Sequence, residues 1–185
     1  MAIKLRIDPG HGYSNRVPGR YDPGAVNSGV SEADIVLQWA LTLKWVCARR
    51  GVDVFLTRDD DRDPTPVGSR DDKAETAGCT HFISLHCNSG GGTGVEGFYR
   101  DSKDKGLARI TLDAALWASA TGKDRGLRSE GQSQHSRLAV FDFDGPCTLV
   151  ELGFIDSEKD RRWLQSRDCR IAFAEKLLDG LGVAK

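Results

Sequence analysis

Ile3-Lys4-Leu5-Arg6-Ile7-Asp8-Pro9-Gly10-His11-Gly12 decides how the rest of the chain reads. Apolar side chains at 3, 5 and 7 alternate with polar ones, which predicts a half-buried strand, and Pro9 and Gly10 stop its ladder just before a histidine. This pattern, an apolar run that ends in chemically capable residues, recurs twice. His81-Phe82-Ile83-Ser84-Leu85-His86 reads as a strand ending at a second histidine, and Cys147-Thr148-Leu149-Val150-Glu151-Leu152 as a buried strand interrupted by a glutamate. Val52 to Thr57 and Val95 to Tyr99 add two more strands.

Helices fill the intervals. Ser31 to Arg50 has Ser31 as N-cap, Asp34 in the capping-box position and Gly51 as its stop. Ile35, Trp39, Leu43 and Val46 form one apolar row and Leu37 and Leu41 a second, so this helix belongs to the core. A charged helix from about Val67 to Ala77, another from about Lys105 to Ala120 and two within Glu158 to Leu181 follow. Thr121 to Arg137 reads as a polar segment, closed by the apolar Leu138-Ala139-Val140-Phe141. Strands alternating with helices predict an α/β fold: a mostly parallel twisted sheet flanked by helices on both faces, in a single domain over residues 1–185. Sites in such folds gather at the carboxyl ends of the strands.

The 185 residues are 39% hydrophobic and 29% charged, a globular composition. Lys plus Arg at 26 against Asp plus Glu at 27 leaves a net charge of −1, too weak a field to hold nucleic acid or anionic lipid. No apolar stretch reaches the ~18 residues of a membrane span, and Met1 to Asp8 lacks signal-peptide character. The expectation is a monomer made in the cytoplasm, without membrane insertion. Five cysteines, with no C-x-x-C pair, argue against a disulfide framework and a thiolate zinc finger.

Two of the four histidines, His11 and His86, sit at strand ends among small residues. Each alone reads more readily as a hydrogen-bonded core or turn histidine; two at strand ends make a metal site an equal reading. His81 lies an odd five positions before His86, hence on the opposite strand face, and Cys87 likewise points away from His86 into packing. His135 falls in a polar loop and reads as solvated or substrate-facing. Glu32 opens the core helix, where the helix dipole favours an acid without any functional role; with His11 and His86 it completes a two-histidine, one-carboxylate set, the ligand pattern of catalytic zinc. Glu151 interrupts an apolar strand end, where a carboxylate needs a partner, a cation or a water. Glu96 alternates with apolar neighbours and reads as a site residue or as a solvent-facing one.

These residues carry a family resemblance. Ile7-Asp8-Pro9-Gly10-His11-Gly12, Asp22-Pro23-Gly24-Ala25, Gly29-Val30-Ser31-Glu32, Leu56-Thr57-Arg58, Phe82-Ile83-Ser84-Leu85-His86-Cys87-Asn88, Gly94-Val95-Glu96, Asp124-Arg125-Gly126 and Val150-Glu151-Leu152-Gly153-Phe154 resemble, in order, the motifs of the zinc-dependent N-acetylmuramoyl-L-alanine amidases of the Amidase_3 type. The resemblance spans nearly the whole chain. It implies Zn2+ held by His11, Glu32 and His86, Glu151 as the catalytic acid/base, and peptidoglycan as substrate, cleaved between N-acetylmuramic acid and L-alanine. On the substrate side it implies Arg125, with Asn88 and Glu96 as further candidates; Arg125 reads equally as a surface arginine. Asp8 orients His11 or caps its turn. The chain departs from the family pattern by an insertion over roughly Tyr13 to Tyr21, within a loop from Gly12 to Gly29 that reads as a site loop. The setting implied is a phage or prophage endolysin released by a holin, or equally a domain of a longer secreted enzyme. The alternatives are a noncatalytic peptidoglycan-binding domain of this fold and another zinc amide hydrolase such as a carboxypeptidase.

Overall fold

The computed structural model describes residues 2–119, 122–133 and 137–184. In chain order its elements are β1 (Lys4–Pro9), β2 (Gly12–Tyr13), β3 (Tyr21–Asp22), β4 (Val26–Asn27), β5 (Val30–Ser31), α1 (Glu32–Arg49), β6 (Asp53–Leu56), α2 (Arg70–Thr76), β7 (His81–Asn88), β8 (Val95–Tyr99), α3 (Lys105–Ala118), β9 (Asp124–Ser129), β10 (Cys147–Phe154), α4 (Glu158–Leu164) and α5 (Arg167–Gly180). Six strands form one sheet in the order β6-β1-β7-β10-β8-β9. The first four run parallel; β8 is antiparallel to β10, and β9 follows β8 in parallel. The antiparallel step brings the start of β8 beside the carboxyl end of β10.

The two faces of this sheet differ. Leu5, Ile7, Ile83, Leu85, Val150 and their neighbours pack against α1, α3 and α5 in the larger core. Within it Trp39 meets Trp163 and Phe173 edge-on at 5.2 and 5.3 Å, and its indole N–H donates to the Leu164 carbonyl. The other face carries a smaller core of Phe82, Phe98, Phe141, Phe143 and Leu149 beneath the short α2. Past this core, at the carboxyl ends of β1, β7 and β10, that face opens into a cleft. Ser31 caps α1 as expected, accepting from the Asp34 amide at 3.1 Å; the Asp34 carboxylate accepts the Tyr21 hydroxyl.

Two expectations need correction. β1 is not half-buried: β6 and β7 flank it, and Arg6 and Asp8 on its second face are as covered as Leu5 and Ile7 on the first. The polar segment from Thr121 contains a strand, β9, which forms one edge of the sheet. The apolar stretch after it forms a 3-10 turn over Ala139–Asp142. The five cysteines are free thiols, and Cys87 lies in the larger core as its alternation requires.

Candidate active site

Asp8 and His11 leave β1 in a turn with little choice of residue. At Gly10 a Cβ would fall 2.3 Å from the His86 ring. At Gly24, whose φ is +65°, it would fall 2.5 Å from Glu32 Oε2 and 2.7 Å from the His11 ring. Side-chain-free backbone is what lets these loops close on the histidines. Two buried arginines grip the turn. Arg58 donates to the carbonyls of Pro9, Gly10 and Ala33, and Arg70 to the carbonyls of His11 and Thr65 and to Asn15 Oδ1. His11 itself has φ +63°, a left-handed conformation rare outside glycine, held in place by these bonds.

Asp8 neither contacts His11 nor caps its turn by a side-chain bond. It is fully buried and accepts from Arg70 at 2.5 Å, from Thr57 at 2.6 Å and from Ser84 at 2.6 Å. Burial opposes its ionisation, but Arg70 and the two hydroxyls outweigh burial and hold its carboxyl below the ordinary value. Asp8 therefore anchors Arg70, and Arg70 anchors the His11 backbone.

His11, Glu32 and His86 converge. Glu32 Oε1 lies 3.0 Å from His11 Nε2 and 2.9 Å from His86 Nδ1, and the two rings stand edge-on at 5.0 Å. One potential ligand atom from each of the three falls within 4.8 Å of the others. Glu32 is fixed by the amides of Cys87 and Ala25, at 2.9 and 3.0 Å to its two oxygens. Burial opposes ionisation of Glu32, yet the two imidazoles keep its carboxyl well below the usual range. Burial likewise opposes protonation of His11, and Glu32 and Asp22 outweigh it, so its pKa is raised. Asp22 Oδ2 lies 3.2 Å from His11 Nδ1, a contact that the Asp-Pro-Gly-Ala motif supplies and the sequence reading did not assign.

Glu151 pairs in register with His86 on β7 and with Glu96 on β8. Its Oε2 is sealed from solvent, without a hydrogen-bond partner among the described residues. Burial, then the charges of Glu32 and Glu96, push its carboxyl well above the ordinary range. Glu96 is 4% exposed, which corrects the solvent-facing reading. It accepts from Asn88 at 2.5 Å and lies 3.2 Å from Arg125 Nε and 3.2 Å from Arg128 Nε. All of these residues line one cleft of about 980 Å³. The insertion after His11 forms a small hairpin, β2 paired with β3, whose Asn15 and Arg16 add to the opposite wall. His135 lies outside the described residues.

Sequence reading missed Arg70 and Arg128. Arg70 sits in a charged helix where nothing separates it from its neighbours, and Arg128 in a segment read only as polar.

The family described as N-acetylmuramoyl-L-alanine amidase matches residues 5–182. The chain belongs to the N-acetylmuramoyl-L-alanine amidase family. Among curated relatives of this amidase family, the sporulation-specific N-acetylmuramoyl-L-alanine amidase of Bacillus subtilis is 31% identical over 183 residues, 97% of this chain and 67% of its own. The chain spans 56 to 67% of the length of the first curated relatives it matches. Among solved structures, the amidase AmiC2 of Nostoc punctiforme superposes with a TM-score of 0.81 at 29% identity, covering 97% of this chain and 94% of that one. The catalytic domain of the amidase CwlV from Bacillus (Paenibacillus) polymyxa gives 0.78 at 27% identity, covering 98% and 99%.

Proposed function

We propose that this chain is a zinc-dependent hydrolase of peptidoglycan that cleaves the amide between N-acetylmuramic acid and L-alanine. The observation that carries the reading is the convergence of His11, Glu32 and His86 beside a half-buried glutamate whose Oε2 is sealed from solvent and unpartnered among the described residues. Two imidazoles and a carboxylate form a donor set suited to zinc, and the carboxylate is already ionised. Zinc on these three residues would polarise the scissile carbonyl and make water acidic near neutral pH.

The chain's own groups supply the proton traffic. Glu151, desolvated and flanked by Glu32 and Glu96, holds its proton unusually tightly. With zinc held by His11, Glu32 and His86, the Glu151 carboxylate would take a proton from the attacking water and pass it to the departing L-alanine amine. Asn88, Glu96 and Arg125 stand on the side of the cleft where the peptide would lie. Arg125 stacks over Phe154 at 4.8 Å, which fixes its plane.

Elemental analysis together with mass spectrometry of products from purified sacculi tests this. The expected result is about one zinc per chain in the wild type, lost in His86→Ala, with peptides released bearing a free L-alanine amino terminus. Cleavage elsewhere in the muropeptide would favour the carboxypeptidase reading, and sacculus binding without product the noncatalytic one. The cellular setting is part of the proposal: an endolysin acting as a monomer, against a sporulation or cell-wall role like those in the relatives' names. Host lysis on co-expression with a holin, and not without it, separates the two.

A further inference from the structure

The wall of the cleft beyond Glu151 is made of β8 and β9, and β9 is irregular in a way that matters. In an uninterrupted strand residues 125 and 128, three apart, point to opposite faces. Here Val95 pairs with Asp124, but Gly97 pairs with Leu127, so two steps on β8 match three on β9. This bulge, made possible at Gly126 with its φ of +91°, turns Arg125 and Arg128 to the same face. Both Nε atoms then meet one oxygen, Glu96 Oε2, at 3.2 Å each.

The charges on this wall do not balance. Two guanidinium groups face one buried carboxylate, leaving a net charge of +1 on the trio. A guanidinium has five N–H donors; Arg125 directs one at Glu96, and Arg128 lies in ion-pair range of the same oxygen. Among the described residues no partner is seen for the η nitrogens of either. The two side chains are 25% and 39% exposed and both line the cleft, so these donors are open to a ligand, whereas Glu96, 5% exposed, is not. Fixed guanidinium forks with unspent donors are suited to bind a carboxylate in two-pronged fashion.

Building on the proposed hydrolase function, we infer that Arg125 and Arg128, paired on Glu96 by the β9 bulge, select substrates whose stem peptide carries a free carboxylate over those carrying a carboxamide at that place. Arg128 acts with Arg125 as a specificity-determining residue, and Glu96 is the positioning residue that holds both. Distance sets which carboxylate is read. β9 lies two strand spacings, ~10 Å, from β10 and its Glu151. An extended peptide covers that span in about three residues, so the carboxylate belongs to the second or third residue after the scissile amide.

The test uses muramoyl-tripeptides that differ only in carrying a carboxylate or a carboxamide on the second or the third residue, with the zinc-loaded full chain. For one of the two positions, wild type is expected to prefer the carboxylate in kcat/KM by about tenfold or more, the scale of a charged hydrogen bond, and most of that preference should sit in KM. In Arg128→Gln the ratio falls toward one. In Glu96→Gln it falls as well, through loss of position. Circular dichroism and melting of each variant separate loss of selectivity from loss of fold; Arg128→Lys, which keeps charge but not the fork, should recover only part of the ratio. Equal cleavage of both substrates by wild type, or an unchanged ratio in folded Arg128→Gln, overturns the inference and leaves the hydrolase reading standing. Cleavage of none of the substrates by wild type overturns both.

Discussion

Asp8 and Glu151 occupy comparable places: both are carboxylates on the same face of the sheet, near the carboxyl ends of strands that flank β7 on either side. Their surroundings are opposite. Asp8 receives a guanidinium and two hydroxyls, and these hold its proton off to low pH. Among the described residues Glu151 receives no cation; it has Glu32 and Glu96 as charged neighbours and keeps its proton well past the ordinary range. The difference separates two tasks that sequence alone does not distinguish. A buried acid with donors on both of its oxygens is part of the frame; an acid with one oxygen sealed from water and left unsatisfied among other acids is poised to exchange protons.

Asp8→Asn should break the comparison most strongly, since it leaves Arg70 buried beside a neutral group. The expected loss is about 3–5 kcal/mol in urea unfolding, with loosening of the His11 turn. A variant as stable as wild type would show that the Asp8–Arg70 pair does not support the fold. The same pair predicts an acid limb. Because the folded pKa of Asp8 lies below its ordinary value, its contribution is present above about pH 4 and is lost as pH falls through the folded value. The urea midpoint should drop on acidification in wild type and less so in Asp8→Asn.

Gly24→Ala probes the ligand side of the comparison. It puts a side chain on left-handed backbone, at about 1–2 kcal/mol, and presses its methyl against Glu32 and His11. Zinc content should fall with it; a variant that folds and binds zinc as wild type does would show that the close packing is not needed. The smallest effect concerns the stability of Glu151. Its folded pKa is raised, so in metal-free protein its favourable contribution is present below the ordinary carboxylate value and lost as pH rises toward the folded one. Metal-free Glu151→Gln should therefore match wild type near pH 4 and be the more stable of the two above it. Parallel urea midpoints from pH 4 to 8 would contradict this.

The parts of the site legible in the sequence were those at the ends of strong strands. His11, His86 and Glu151 interrupt apolar runs, and a fixed side-chain period of two was enough to keep His81 and Cys87 out of the cluster. Glu32 was legible only through its position at the start of a well-capped helix. β9 was not, because Asp124-Arg125-Gly126-Leu127-Arg128-Ser129 is a charged edge strand with one side in a polar cleft, and its bulge breaks the alternation a strand would show. The role of Asp8 was misread for a different reason. Its partners Thr57, Arg70 and Ser84 are 49 to 76 residues away in sequence and meet it only through the parallel pairing of β1 with β6 and β7 and the approach of α2.

The contrast between the two carboxylates stands or falls on Glu151. The direct measurement is the rate of release of L-alanine amino termini from purified sacculi by wild type and Glu151→Gln, both checked for equal zinc content and equal melting temperature. The account predicts that the variant keeps its zinc and its fold and is slower by about 10²- to 10⁴-fold, the range of general acid–base catalysis. Release at the wild-type rate by the zinc-loaded variant would contradict it.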